Sequence, residues 1–264
     1  MRVYLELARR SFAQQFAYRG ATLAGVFTNS IFGIMIASVF LGLYRSQSGG
    51  GEVAGWSAEE TLTYVWINQA LLMPVYLWGW FEVMRSIQTG AIVSDLLKPL
   101  DFYTYWLSRD LGRAAAHLLL RGLPTFLIGA LLFRQMVLPD EIWRWGAFLA
   151  SVVMAVIVSF TWRFIQNAAG FWVIDHRGVA YMAAMLVNFF SGLLLPIAFF
   201  PPWLEFVANV LPFRAMLMVP NEVLLGQRSV LSGWALQLFW IVVMTAIART
   251  MLRAGERKVV IQGG

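Results

Sequence analysis

The sequence predicts an all-α protein that crosses a membrane several times. Of its 264 residues, 59% are hydrophobic, 15% aromatic and only 13% charged, and the mean hydropathy is positive. Long uncharged apolar runs alternate with short polar segments, and lysine and arginine flank the runs. This composition excludes a soluble globular domain and predicts one transmembrane domain over residues 1–264.

Six apolar runs are the predicted membrane spans. A helix needs roughly 17–25 such residues to cross the hydrocarbon layer. The fourth run is longer, so its inner end is expected to project beyond the hydrocarbon. The predicted spans are 21–44, 61–81, 114–133, 145–173, 179–199 and 231–252.

Residues 1–20 are predicted to form an interfacial helix lying along the lipid headgroups. At helical spacing the apolar and charged side chains fall on opposite sides, with Leu5, Ala8, Phe12 and Phe16 on one and Arg2, Glu6, Arg9 and Arg10 on the other. The alternative is that this segment is simply the polar start of the first span.

Lysine and arginine set the expected orientation. Thirteen fall on the side of the two termini and five on the other, while Arg121 and Arg163 lie within spans. Both termini are therefore expected in the cytoplasm, together with the mixed-charge segment 82–113. Within that segment the pattern of Gly90–Pro99 predicts a short amphipathic helix at the membrane surface.

The stretch before the last span is apolar but broken by proline. A run this apolar should not lie freely in water, yet its prolines exclude one continuous helix. We expect short helices that re-enter the membrane from outside over residues 200–228. An ordinary outer loop packed on the helices is the alternative. The five prolines are Pro196, Pro201, Pro202, Pro212 and Pro220.

The sequence contains no recognisable catalytic motif. There are no cysteines and two histidines, HExxH, GxSxG and P-loop patterns are absent, and the predicted spans contain no Asp or Glu. We therefore expect no catalytic residue, no metal site and no cofactor in this chain. The positive charge is assigned to membrane orientation, so nucleic-acid binding is not expected.

A few polar or aromatic residues within spans are candidates for a translocation path. His117 and Arg121, four residues apart, are predicted to share a helix face. For Asn68 and Asn188 the alternative is hydrogen bonding between helices. For Arg121 the alternative is a side chain that reaches the membrane–water interface. Asp175–His176 is interpreted as a polar turn. The path candidates are Trp66, Asn68, His117, Arg121 and Asn188.

This arrangement resembles the permease subunit of type-2 ABC transporters, within the daunorubicin-type and uncharacterised bacterial ABC-2 exporters. The resemblance covers the whole chain. It is carried by short motifs: Ile87–Pro99, Gly192–Trp203, Leu211–Phe213, Pro220 with Gly226, and the tail Gly263–Gly264.

The resemblance implies a coupling helix that docks on a separate ATP-binding subunit, present in two copies and holding ATP and magnesium. It also implies a second permease subunit, identical or related, a bacterial cytoplasmic membrane, and export as the direction of transport. The implied docking residues are Gly90, Ile92, Val93, Asp95, Leu96, Leu97, Lys98 and Pro99. The implied outer gate comprises Pro196, Phe199, Phe200, Pro201, Pro202, Leu211 and Pro212.

Three other readings stay open. A membrane-embedded enzyme would need ionisable side chains that converge within the bilayer. A secondary transporter driven by an ion gradient would be expected to carry intramembrane carboxylates. The third reading is a membrane anchor or sensor that recruits an ATPase without transporting anything.

Overall fold

A computed structural model describes residues 1–46, 51–173 and 176–262, and within these ranges regular structure is helical. An isolated bridge between Val53 and Trp56 is the one β-type pairing among the described residues. The helices are α1 (Arg2–Gln14), α2 (Arg19–Ser46), α3 (Ala58–Leu71), α4 (Glu82–Gln88), α5 (Ile92–Leu96), α6 (Phe102–His117), α7 (Leu123–Leu132), α8 (Ile142–Ala168), α9 (His176–Phe190), α10 (Pro202–Val210), α11 (Met218–Leu225) and α12 (Val230–Gln262).

Within the described part of the chain, four helices are long and apolar enough to cross a membrane. They are Arg19–Ser46, Phe102–Leu132, Ile142–Phe171 and Val230–Lys258. The all-α membrane fold is therefore confirmed. The second and fifth predicted spans correspond to shorter helices, so the six-span layout stays a prediction. The predicted turn at Asp175 and the tail Gly263–Gly264 lie outside the described residues.

Helix α8 is the centre of the packing, and α12, α11 and α6 lie against it. Polar side chains also join these helices. Gln237 of α12, fully buried, accepts a hydrogen bond from Ser151 Oγ at 2.9 Å and donates to the carbonyl oxygens of Ser151 and Ala215, both at 3.0 Å. Because every buried polar group needs a partner, this glutamine fixes how α12 sits on α8.

Helix α3 is enclosed by protein over its whole middle. Ser57 and Glu60 form a capping box that starts the helix, and every residue from 61 to 71 is buried. Pro74 cannot donate a backbone hydrogen bond, and the helix widens there into a π-helical turn, Leu72–Tyr76. Asn29 Nδ2 donates to Gln69 O at 3.1 Å, on the turn before the proline. A neighbouring helix thus supplies a donor near the break.

The third long helix begins earlier than its predicted span. Asp101 caps it by accepting a hydrogen bond from Thr104 N at 2.9 Å, and the helix then continues from Phe102 to Leu132 through a second π-helical turn, Leu118–Gly122. Polar residues that suggested a cytoplasmic lead-in are therefore part of this helix. This helix also contains one carboxylate, Asp110, which precedes the predicted span 114–133.

The N-terminal helix packs on α6. A Cβ on Gly112 would collide with the backbone of Ala8, so the two helices touch where a glycine allows it. Tyr4 Oη also accepts a hydrogen bond from Asp101 N at 3.1 Å. Of the predicted apolar side, Leu5 and Phe16 remain exposed, which agrees with a helix that lies between protein and lipid headgroups.

Candidate functional site

A buried cluster of one aspartate and two arginines joins α6 to α8. Arg163 of α8 is 1% exposed, and its guanidinium grips Asp110 of α6 with Nη2–Oδ2 at 2.8 Å and Nη1–Oδ1 at 3.3 Å. Arg113, one turn further along α6, binds Asp110 Oδ1 through Nε at 2.8 Å. The Asp110 carboxylate thus pairs with two arginines in a buried environment, where an unpaired charge is costly.

Arg113 also caps the C-terminal end of α3 by donating hydrogen bonds to backbone carbonyls there. Its Nη1 donates to Met73 O at 2.7 Å and its Nη2 to Pro74 O at 3.0 Å, which are carbonyls left without helical partners. The Tyr76 ring packs against both guanidinium groups, 4.6 Å from that of Arg113 and 4.9 Å from that of Arg163. Three helices, α3, α6 and α8, therefore meet at Asp110.

An open cavity of about 300 Å³ lies beside this cluster. The N-terminal helix, the end of α3 and α6 form its walls. Its lining combines charged, amide and aromatic groups, among them Gln14, Tyr76, Trp106, Arg109, Arg113 and His117.

His117 and Arg121 have different neighbours in the structure. His117 lines the cavity, whereas the Arg121 guanidinium lies so close to Gly25 of α2 that a Cβ there would collide with it. Arg121 lies within the π-helical turn Leu118–Gly122, and a face shared with His117 stays a prediction. Arg121 Nε is buried and has no hydrogen-bond partner in the described residues.

The remaining path candidates do not form one lining. The Trp66 indole is fully buried between Gly33 of α2 and Gly129 of α7. Asn68 donates to Gly192 O at 2.8 Å and accepts from Asn221 Nδ2 at 2.8 Å, so it makes hydrogen bonds between segments. Asn188 lies on α9, and its Oδ1 is buried without a partner among the described residues.

The predicted docking residues divide into buried and exposed ones. Ile92 is 1% exposed and belongs to a buried apolar cluster that also contains residues of α4, α6, α8 and α12, so the expectation that it presents itself to a partner does not fit this conformation. Leu96 is half-buried in the same cluster. Val93 and Leu97 are 45% and 80% exposed. Gly90, with φ +74°, and Pro99 lie at the exposed ends of the turn.

Asp95 and Lys98 form the polar edge of α5. Their ion pair measures 2.6 Å, and the hydrogen bond that Lys98 Nζ donates to the Asp95 carboxylate raises the pKa of the exposed Lys98 amine. An exposed pair of this kind contributes little stability, about 0–1 kcal/mol. Its effect is to hold the turn after α5 in one geometry.

Asn167 of α8 fastens the start of this segment. Its Oδ1 accepts from Met84 N at 2.9 Å, and its Nδ2 donates to Trp80 O at 2.8 Å and Arg163 O at 2.7 Å. Gly170 allows Met84 to approach closely. The base of the segment is thus tied to α8, one turn from the Arg163–Asp110 pair.

The predicted gate residues lie between α9 and α11. Phe200 is buried and stacks on Phe189 with ring centroids 5.2 Å apart, and the half-buried Phe199 contacts Phe40 edge-on at 6.1 Å. Proline starts the short elements here, with Pro202 opening α10 and Pro212 a 3₁₀ turn, each at a position that needs no amide donor. Pro196 is buried, Pro201 exposed, and Leu211 half-buried.

Sequence reasoning missed a second buried carboxylate in this region. Glu222 of α11 pairs with Arg214 and, at 2.7 Å, with Arg228. Nearby, Gly192 O accepts hydrogen bonds from both Tyr64 and Asn68. The sequence does contain a signal for Glu222, because an acidic residue in an apolar stretch needs partners and two arginines, Arg214 and Arg228, flank it. Both arginines were predicted to lie on the outer surface, so the pairing was not recognised.

The long apolar helices and the polar groups buried between them define a multi-pass helical membrane protein. The chain belongs to the ABC-2 family: the family model described as "ABC-2 family transporter protein" matches residues 33–263. It is therefore a transmembrane permease component of an ABC transporter. A search of curated proteins finds no match.

Proposed function

We propose that this chain is half of a dimeric, ATP-driven exporter and that a separate ATP-binding subunit docks on segment 82–113. The second half is an identical or a related permease. ATP and magnesium belong to the partner, because this sequence has no P-loop. In this proposal the chain has no catalytic role and lies in a bacterial cytoplasmic membrane with both termini inside.

The exposed side of α5 is the observation that carries this proposal. Leu97 and Val93 point away from the protein on a turn that Ile92 anchors from below. Exposed apolar side chains on an otherwise polar, firmly attached turn are typical of a docking surface. The exposed Lys98 and the partly exposed Asp95 supply a polar rim.

The attachments of the segment suggest how motion of the partner reaches the spans. Ile92 shares a buried apolar cluster with Phe102 at the start of α6 and with Phe164 of α8, and Asn167 binds both the base of α4 and the backbone of Arg163. A push on α5 would therefore act on α6 and α8 together. These two helices are joined again at Asp110, so they are expected to move as one body toward or away from the predicted outer gate.

The buried carboxylates do not favour an ion-driven transporter. Asp110 and Glu222 are each matched by two arginines. A carboxylate that carries protons or cations must exchange its partners during each cycle, whereas these pairs hold helices together. We therefore prefer ATP hydrolysis by a partner as the energy source.

The test compares Leu97→Asp with Leu97→Met in native membranes. Burying a charge in a docking cleft costs about 2 kcal/mol or more, which corresponds to about 30-fold weaker association. We expect the aspartate variant to lose co-purification of the ATP-binding subunit and stimulated ATP hydrolysis, and the methionine variant to keep both. Equal recovery and equal turnover in the two variants would show that α5 is not the docking site.

A further inference from the structure

A second cavity lies along the next turns of α3 and the α6–α7 helix, where Leu118 of its wall directly follows His117 of the polar cavity. It has a volume of about 220 Å³ and is walled by apolar side chains of α3, α7, α8 and the turn before α7. Representative lining residues are Ile67, Leu71, Leu118, Leu123, Phe126 and Leu149. Together with the polar cavity it has the size of a typical small-molecule site, roughly 300–1,000 Å³.

On each of the two helices a π-helical turn lies between residues of the polar cavity and residues of the apolar one. On a regular helix, residues four apart share a face, but a π turn shifts this spacing to five. His117 of the polar cavity is thus followed on the same face by Gly122 of the apolar one, and Leu71 of the apolar cavity by Tyr76 of the polar one. The cleft between these two helices therefore has a polar end and an apolar end.

One cation at the polar end, Arg109, lines the cavity without an ion-pair or hydrogen-bond partner among the described residues, and two buried ring nitrogens near it also lack partners. Arg109 stacks on the Trp106 ring at 4.6 Å and forms no ion pair or hydrogen bond with the described residues. Trp106 is 8% exposed, and its Nε1 is buried without a partner in the same part of the chain. His117 Nδ1 is likewise buried and unpartnered there.

The charges at this end favour an anion. Two carboxylates line the cavity, Asp110 and Glu82, but Asp110 is already matched by Arg163 and Arg113. Glu82 is exposed at the rim. The guanidinium of Arg109 is left to bind a ligand, and its planar fork suits a phosphate group.

The polarity of the cleft matches a lipid of the inner leaflet. Its polar end lies beside the amphipathic N-terminal helix and the segment that the charge bias assigns to the cytoplasm, at the level expected for headgroups. Its apolar end extends along the spans toward the hydrocarbon. We propose that this cleft binds one anionic phospholipid, with the phosphate on Arg109 and an acyl chain in the apolar cavity. The proposal does not depend on ATP coupling or on the outer gate.

The test uses the full-length protein in phosphatidylcholine nanodiscs that contain a trace of a photoactivatable lipid with a diazirine on one acyl chain. Phosphatidylglycerol is compared with phosphatidylcholine as the photoactivatable lipid, and labelled peptides are mapped. We expect labelling of the peptide around Leu118–Phe126, at least about tenfold stronger with phosphatidylglycerol. This ratio is what one charge-assisted phosphate contact contributes.

Variants separate the two ends of the cleft. Arg109→Gln should remove the preference for phosphatidylglycerol, while Arg85→Gln, the same change at an exposed arginine outside the cavity, should keep it. Leu149→Trp, which fills the apolar cavity, should lower labelling several-fold with Arg109 intact.

Three results would overturn the proposal. They are equal labelling by both lipids, unchanged preference in Arg109→Gln, and undiminished labelling in Leu149→Trp. Displacement of the photoactivatable lipid by excess glycerol 3-phosphate would assign the site to a soluble anion instead of a lipid.

Discussion

The Asp110 cluster predicts that the nearly isosteric substitution Asp110→Asn strongly lowers the free energy of unfolding. Asp110→Asn keeps the shape of the side chain but removes its charge, and it leaves Arg163 as an unmatched cation that is 1% exposed. Removing one partner of a buried ion pair costs about 3–5 kcal/mol. Arg113 contributes less to this loss, because it keeps its bonds to Met73 O and Pro74 O.

The free energy of unfolding would be measured by titration with sodium dodecyl sulfate in mixed micelles, followed by circular dichroism. Adding Arg163→Met to Asp110→Asn should restore most of the loss, since an apolar side chain of similar length replaces the stranded charge. Asp101→Asn is the matched control. It breaks an ion pair with Arg249 whose partners are both 41% exposed, keeps a good helix cap, and should cost about 0–1 kcal/mol.

Two results would refute this reasoning. One is an Asp110→Asn variant as stable as the Asp101→Asn control. The other is a double variant no more stable than Asp110→Asn alone. Either would mean that Arg163 has solvent or another partner to satisfy its charge.

Three further predictions can be checked by the same unfolding assay. Gly129→Leu should destabilise the protein by about 1–3 kcal/mol, because any side chain there collides with the buried Trp66 indole; Gly146→Leu, at an open position, is its control. Gln237→Leu should cost about 1–3 kcal/mol by removing the buried hydrogen bonds that Gln237 makes with Ser151 Oγ, Ser151 O and Ala215 O. Acidification should remove the small contribution of Asp101: burial opposes its ionisation, but its hydrogen bonds and ion pair outweigh this and hold its pKa below 3.8. That contribution is therefore complete above pH 3.8 and lost as the pH falls through the lowered pKa, a step that Asp101→Asn should abolish.

Composition and run length predicted the membrane class correctly, and α2, α8 and α12 follow the predicted spans closely. Helices α2 and α12 leave most of their apolar surface uncovered by the protein, so their sequences report the environment directly, and the central helix α8 is apolar throughout. Helix α3 gives a weaker signal because protein surrounds it, and polar groups such as Asn68 are satisfied by other segments. Hydropathy measures contact with lipid and therefore underestimates an enclosed helix.

The start of α6 was misplaced for a related reason. Asp110 and Arg113 made the segment look like a loop, but Arg163, more than fifty positions later, neutralises the carboxylate. Pairing over that distance cannot be read from local pattern. The five residues of α5 are also too few for periodicity to decide that Ile92 faces inward and Leu97 outward.

The enclosure of α3 bears on how the chain is made. With residues 61–71 buried and Trp66 held between glycines of α2 and α7, this helix has almost no surface to offer to lipid. During synthesis α2 emerges before it and α7 well after it. We therefore expect α3 to wait beside the insertion machinery until α7 has been made, so that the first half of the protein enters the bilayer as a group instead of helix by helix.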